Sequence, residues 1–275
     1  FWNANPVVYL LSILILAIGD PIASVVGESA DKPKSFAVWK DSKSVQGSAA
    51  LALVIFLLTF SGMRLGESAG LLSPGSGSVL MVALVTTVIG TAAESISNAG
   101  SDNLSLPLLS AAILDVMIRL SDSGRLNLVL WICITLVVVT ASYRLKILKL
   151  SGAVAAFILG TFVFGIGGLS WMIPMGLFFG LSSILSKLGR KRKSRFESVY
   201  EKSGNRDMMQ VLANAGLALP LVLLWFYTGA QLFYFAYLAG LAAATADTWA
   251  TELGAFSPGQ PRNILNMKTV TKGTS

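Results

Sequence analysis

The sequence predicts an all-α, polytopic transmembrane helical bundle of about nine spans in two related halves, and three observations predict it. Hydrophobic residues make up 54% and charged residues 13% of the 275-residue chain, whereas about a quarter of a soluble domain is charged. The mean hydropathy is +0.70. Apolar runs near the roughly 20 residues that a bilayer-spanning helix needs lie at 4–26, 47–65, 76–96, 104–120, 126–142, 151–166, 168–187, 208–227 and 230–252. Finally, one polar motif is spelled twice at the ends of such runs, dividing the chain into 1–142 and 150–275.

Each run carries its own punctuation. The first closes on Gly19-Asp20-Pro21. An Asp cap with proline at the first helical position would begin a helix there. If the helix ends instead, its carbonyls and the carboxylate together would draw a cation. The third run ends on Glu94, and Asp102-Asn103 is placed to cap the fourth. The sixth is short, and Gly152, Gly160 and Gly165 allow it to pack closely on a neighbour. The eighth opens on Asn205-Arg206-Asp207 and sets Gln210 and Asn214 one turn apart on a shared polar face. The chain begins without Met and stops within Lys272-Gly273-Thr274-Ser275. Both ends are therefore expected to be incomplete, and no signal peptide is inferred.

Charge orients the bundle. Lys32, Lys34, Lys40 and Lys43 follow the first run, Arg144, Lys146 and Lys149 the fifth, Lys187 to Arg206 the seventh, and Arg262, Lys268 and Lys272 the ninth. With about nine spans this alternation obeys the positive-inside rule, so these loops are expected at the cytoplasmic face of an inner membrane. Basic residues there also meet anionic lipid, at about 1 kcal/mol each; no nucleic-acid partner is expected. The chain has no histidine, and its one cysteine, Cys133, sits in an apolar run. Disulfides, cysteine metal sites, His-dependent hydrolases and most zinc enzymes are thereby excluded.

The doubled motif reads small-Asp-x-x-Ala-hydroxyl-x-x-Gly: Gly19-Asp20-Pro21-Ile22-Ala23-Ser24-Val25-Val26-Gly27 and Ala246-Asp247-Thr248-Trp249-Ala250-Thr251-Glu252-Leu253-Gly254, the second with one residue more before the glycine. Each is followed by a basic loop, Lys43-Ser44-Val45-Gln46-Gly47-Ser48 or Lys268-Thr269-Val270-Thr271-Lys272-Gly273-Thr274. A carboxylate in a membrane helix costs about 2.5–3.5 kcal/mol and needs a partner or a purpose. Glycines permit the close backbone approach that phosphate-binding loops use, although neither loop is a Walker A sequence. Glu94, Asp102 and Asn103 add hard oxygen donors suited to Mg²⁺, which is commonly held by one or two carboxylates with substrate phosphates.

On Gly19–Ser24, Lys43–Ser48, Glu94-Ser95 and Asp102–Pro107, residues 1 to about 140 resemble the C-terminal part of the phytol and dolichol kinase family. On Ser151-Gly152-Ala153, Gly189–Arg192, Arg206–Val211, Asn214-Ala215-Gly216, Ala246–Gly254, Pro261-Arg262 and Lys272–Thr274, the remainder resembles the plant phytyl-phosphate kinase family. The resemblance implies a membrane-embedded fusion of two CTP-dependent kinases, one phosphorylating a prenyl alcohol and the other the prenyl monophosphate. It implies that Asp20, Glu94 and Asp102, and in the second half Asp247, are catalytic, with Asn103 and Glu252 joining them as Mg²⁺ ligands. Ser24, Gly27, Lys43, Ser44, Gly47, Ser48, Thr251, Gly254, Lys268, Lys272, Gly273 and Thr274 would bind CTP. The expected partners are an isoprenoid lipid, the nucleotide and membrane lipids. The rival readings are a cytidylyltransferase of the CDP-diacylglycerol synthase type and, more distantly, a secondary transporter built from paired halves.

Overall fold

Short polar side chains start half of the helices. Asn5, Ser44, Ser78, Ser121 and Asp207 each accept a hydrogen bond from the N–H three residues on, at 3.0–3.4 Å, satisfying donors that a helix start leaves open. In the computed structural model, residues 5–72, 78–193, 205–254, 259–260, 262–263 and 266–270 are described. The helices are α1 (Pro6–Leu14), α2 (Asp20–Ser29), α3 (Val45–Ser68), α4 (Val79–Ser95), α5 (Asp102–Arg119), α6 (Asp122–Arg144), α7 (Leu150–Lys193), α8 (Met208–Ala215), α9 (Ala218–Thr228) and α10 (Leu232–Gly254). A π turn, Ile15–Gly19, joins α1 to α2, and strands β1 (Ser35–Ala37) and β2 (Ser42–Ser44) form an antiparallel hairpin.

The all-α membrane class is as expected, but about nine spans is more than the described residues show. Four helical stretches are long and apolar enough to cross a bilayer: Pro6–Ser29, Val45–Ser68, Asp122–Arg144 and Leu150–Lys187. There are five if α8 and α9, bent by 43°, make one span. The shortfall has physical reasons. Helix α4 has only 17 residues, α5 carries Asp102, Asp115 and Arg119, and α10 carries Asp247 and Glu252.

Two expected runs are also merged in α7, which breaks at Gly168 (φ 64°, ψ −154°), a left-handed conformation that favours glycine. The chain reverses there. The Arg206 guanidinium lies 5.6 Å from the Phe179 ring, while the Arg206 backbone pairs with Ile147 and Lys149 at 3.0 and 2.8 Å. A straight helix would separate residues 148 and 179 by about 45 Å. Beside the break, fully buried Trp171 stacks on Tyr237 at 4.5 Å and accepts that residue's hydroxyl hydrogen at its carbonyl, at 2.6 Å.

One hydrophobic core runs through both halves, from Val7 and Val8 through Ile113, Leu128 and Phe162 to Tyr237 and Leu241. A smaller cluster of Ile15, Leu51, Ile55 and Leu106 lies beneath the hairpin end. Far from the hairpin, buried Asp115 accepts hydrogen bonds from Tyr227 of α9 at 2.6 Å and Arg119 at 2.8 Å, tying the halves together. Glycines set the closest approaches. A Cβ on Gly160 would come within 2.6 Å of Thr135 Cγ2 on α6.

These pairings place both Asp-bearing motifs at one end of the bundle. Lys43 of β2 meets the end of α4, and the segment around Arg206 meets the start of α7. Ser186, on the returning leg of α7, bonds Glu252 near the end of α10.

A Cβ on Gly152 would run into the Arg206 carbonyl, a backbone atom, whereas one on Gly240 meets nothing within 4 Å. Gly152→Ala is expected to cost about 1–3 kcal/mol and lower the thermal midpoint in detergent. Gly240→Ala should leave that midpoint unchanged or raise it slightly.

Candidate functional site

Asp20 neither starts nor ends a helix. Gly19 is in the right-handed helical region (φ −68°, ψ −48°), and no side-chain cap is present. The chain passes through the π turn, where the Asp20 N–H donates to Leu16 O. A π turn admits an extra residue, and it carries the helix past Pro21, which has no N–H to give. Asp20, Ser24 and Glu28 then recur at the helical spacing along α2 and line one cavity. Ser24 donates its hydroxyl hydrogen to Glu28 Oε1 at 3.1 Å.

The opposite wall is the hairpin. Register pairs Phe36 with Lys43 and Ser35 with Ser44. Gln46 braces the hairpin by accepting from Lys34 N (3.2 Å) and donating to Lys32 O (3.5 Å). Asp41 accepts from Ala99 N at 3.0 Å, which fastens the hairpin to the α4–α5 turn, where Ala99 and Gly100 have φ of 50° and 80°. Lys43 thereby reaches Glu94 Oε1 at 2.8 Å and Asp102 Oδ2 at 3.7 Å. Asp102 also accepts from Ser97 Oγ at 3.4 Å and from Asn103 N at 3.1 Å.

The cavity, of about 540 Å³, thus gathers Asp20, Ser24, Gly27, Lys43, Ser44, Gly47, Ser48, Glu94 and Asp102, the greater part of the site expected in the first half. Glu94 is 5% exposed; its Oε2 and the Ser48 Oγ are buried without a hydrogen-bond partner among the described residues. Burial alone would lower the Lys43 pKa. The hydrogen bond and charge of Glu94, with the charges of Asp102 and Asp20, outweigh it and hold the amine above its usual 10.5.

Gly27 and Gly47 have a packing role. A Cβ on Gly47 would lie 2.6 Å from Ala23 O, and one on Gly27 2.5 Å from Ser44 Oγ. The Gly47 N–H is already engaged by Ser44 Oγ at 3.0 Å. These glycines therefore bring α2 against the start of α3. Asn103 is exposed and lies outside the cavity lining. Glu28 was not anticipated; its signal was the four-residue spacing from Ser24, legible only once 20–29 is read as one helix.

The second half repeats the local layout, but its described residues gather no comparable cluster. After α10, Arg262 bridges Thr269, and Asn263 N donates to Lys268 O at 2.9 Å, an echo of the β1–β2 hairpin. Asp247, Thr251, Gly254 and Lys268 are exposed. Thr251 donates its hydroxyl hydrogen to Asp247 O, in its own helix, at 3.0 Å. Glu252 is buried and accepts from Ser186 Oγ at 2.8 Å. Lys272, Gly273 and Thr274 lie outside the described residues.

Among the described residues, no three His, Cys, Asp or Glu side chains are close enough together to hold a metal ion on their own. Asp20, Glu94 and Asp102 nevertheless border one cavity, and Glu94 keeps one carboxylate oxygen unsatisfied. That donor set fits Mg²⁺ arriving on a phosphate, which needs only one or two protein carboxylates.

The sequence pattern of the family described as "Integral membrane protein DUF92" matches residues 133–275, just over half of the chain. The chain is 32% identical to "Protein PGR" of Arabidopsis thaliana over 170 residues, 57% of this chain and 59% of that one. It is 29% identical to "Uncharacterized membrane protein MJ0933" of Methanocaldococcus jannaschii over 161 residues, 58% of this chain and 63% of the other. The chain thus spans about three fifths of the length of these relatives. No solved structure matches.

Removing Lys43 strands a buried carboxylate. Lys43→Met is expected to cost about 3 kcal/mol, the lower end for a broken buried ion pair, and adding Glu94→Gln should recover most of it. Because the folded-state pKa of Lys43 is raised, its stabilising contribution is intact below 10.5 and is lost as pH climbs through the raised value. Thermal midpoints measured across that range should show an alkaline decline that is smaller in Lys43→Met.

Proposed function

The chain belongs to the DUF92 family of integral membrane proteins, and on that premise we propose that it is a membrane-embedded, CTP-dependent lipid kinase. In this reading the first half phosphorylates a prenyl alcohol such as phytol and the second half the resulting monophosphate. The supporting observation is the cavity in which Lys43 is drawn from the hairpin onto Glu94 and Asp102 and faces Asp20. A cation among carboxylates at the end of an apolar bundle is suited to receive a nucleotide from water and an alcohol from lipid. The nucleotide, CTP, is taken from the resemblance to the phytol and dolichol kinases.

Phosphoryl transfer depends chiefly on positioning and charge neutralisation. Lys43 would bind phosphate oxygens, exchanging part of its contact with Glu94 for them. Asp20, with Glu94 or Asp102, would hold Mg²⁺, which when bound neutralises charge between the phosphates. The alcohol oxygen attacks the γ-phosphorus, the bond from that phosphorus to the β–γ bridging oxygen breaks, and CDP leaves. The alcohol proton passes to one of the cavity carboxylates. The prenyl chain lies between apolar helices with its hydroxyl at the bundle end. In the second half, Asp247 and Glu252 would take the metal-holding role and Lys268 or Lys272 the phosphate role.

The test is a product assay on the full-length protein with labelled CTP, phytol and longer prenols. CDP and prenyl monophosphate, then diphosphate, are expected. Asp20→Asn should cut the first step by at least about a hundredfold and Asp247→Asn the second, since a positioned group that acts in the transition state contributes about that much. Release of pyrophosphate with a CMP-linked lipid would replace the kinase by a cytidylyltransferase. Ion-dependent uptake into vesicles without turnover would replace it by a transporter.

A further inference from the structure

The cavity between α2 and the hairpin has an inner and an outer end. Asp20, Ser24 and Glu28 line it together, and eight residues of helix put Glu28 about 12 Å along the axis from Asp20. The carboxylates that act on Lys43 are Glu94, Asp102 and Asp20. Glu28 is not one of them, and among the described residues it forms no ion pair. Its Oε1 accepts the Ser24 hydroxyl hydrogen at 3.1 Å, which leaves Oε2 for a ligand.

Charge decides what can lie against Glu28. An uncompensated carboxylate repels a triphosphate, and Lys43, the cation bordering this cavity, is committed to Glu94 and Asp102. The phosphates of a bound nucleotide therefore belong beside Lys43, and Glu28 faces the uncharged end, where an ionised carboxylate can only accept hydrogen bonds. Pro33, Ser35 and Ser42 line the same cavity. The two serine side chains make no hydrogen bond within the protein among the described residues, so their hydroxyls are available to a sugar, and the proline ring gives a base an apolar surface. With Oε1 engaged, Glu28 presents one open oxygen, which suits a single N–H donor better than a pair of adjacent sugar hydroxyls.

We infer that Glu28 reads the base of the nucleotide: it accepts a hydrogen from the exocyclic amine of cytosine and so separates CTP from UTP, which presents a carbonyl oxygen at that position. The presence of a nucleotide in this cavity rests on the kinase reading; the choice of Glu28 rests on its place, its charge and its open oxygen. A carboxylate accepting from the cytosine amine is also the pairing by which proteins read that base in nucleic acids. In UTP the carbonyl oxygen would meet the carboxylate acceptor to acceptor. Discrimination thus comes from repulsion as well as from the lost hydrogen bond. Ser24 positions the carboxylate.

The experiment is equilibrium binding of labelled CTP to the full chain in detergent with Mg²⁺, competed by UTP, and it needs no turnover. CTP is expected to bind at least about tenfold tighter than UTP, the scale of one hydrogen bond to a charged group. Glu28→Gln, whose amide can donate to the uracil oxygen, should weaken CTP and strengthen UTP, bringing the two near parity. Glu28 is exposed, so this substitution removes no buried contact. Equal affinities in the unsubstituted chain, or an unchanged ratio in Glu28→Gln, would overturn the assignment. So would a shift of both affinities in one direction: upward together, Glu28 merely repels phosphate; downward together with a raised Mg²⁺ requirement, it merely holds the metal. The kinase reading fails separately. A chain that selects CTP through Glu28 yet releases pyrophosphate keeps the base-reading residue and loses the kinase, whereas a chain that binds no CTP loses both.

Discussion

Everything at the polar end of this bundle depends on Lys43. Glu94 is at the end of a largely apolar helix and almost wholly buried, a position where an isolated carboxylate would surrender its charge or destabilise the fold. Lys43 removes that penalty from outside the helix, and it can do so only because the hairpin is held in place by Gln46 on one side and Asp41 on the other. The ion pair therefore fixes three things at once: the hairpin against α4, the α4–α5 turn against the hairpin, and the roof of the cavity over Asp20. A polar site in a membrane protein must be closed by its own side chains, since lipid satisfies none of them.

The two halves use this constraint unequally. Both follow an aspartate-bearing helix with a short antiparallel pairing that has a lysine in it (Lys43) or beside it (Lys268). In the first half that lysine finds carboxylates on two further helices. In the second, Arg206 beside the start of α7, with Gln210 and Asn214 along α8, borders an apolar cavity instead. The family match covers this second half, whereas the gathered carboxylates lie in the first. The same local layout thus frames two different polar environments at one end of a continuous core.

Much of this was legible in the sequence, for identifiable reasons. Hydropathy alone marks the apolar runs, and the break in α7 falls between two of them because Gly168 takes a conformation other residues resist. The eighth run was read as opening on Asn205-Arg206-Asp207, and Asp207 caps α8. Seven of the nine cavity residues named above were readable because the motif repeats, and Glu94 and Asp102 as hard oxygen donors at the end of the third run and the start of the fourth. Three features were not. Asp20-Pro21 reads locally as a helix boundary, and only the π turn shows a helix running through it. Glu28 belongs to the site through a helical phase that this misreading hid. Gly27 and Gly47 carry one spacing whether they cradle a ligand or admit a neighbouring helix, and the distinction comes from what stands opposite. The described residues show fewer qualifying spans than the nine apolar runs because α4 is short and α5 and α10 carry acids.

The π turn ahead of Asp20 has a mechanical corollary. Each α-helical residue advances the azimuth by about 100°, and the widened turn takes up one surplus residue. It therefore acts as a phase shifter in a single continuous rod. Upstream, Val8 and Leu11 keep the rotation that buries them in the large core; downstream, Asp20, Ser24 and Glu28 keep the rotation that turns them to water. Were the turn to tighten into regular α-helix, one of those two rotations would be forfeited and the acidic stripe would swing toward lipid.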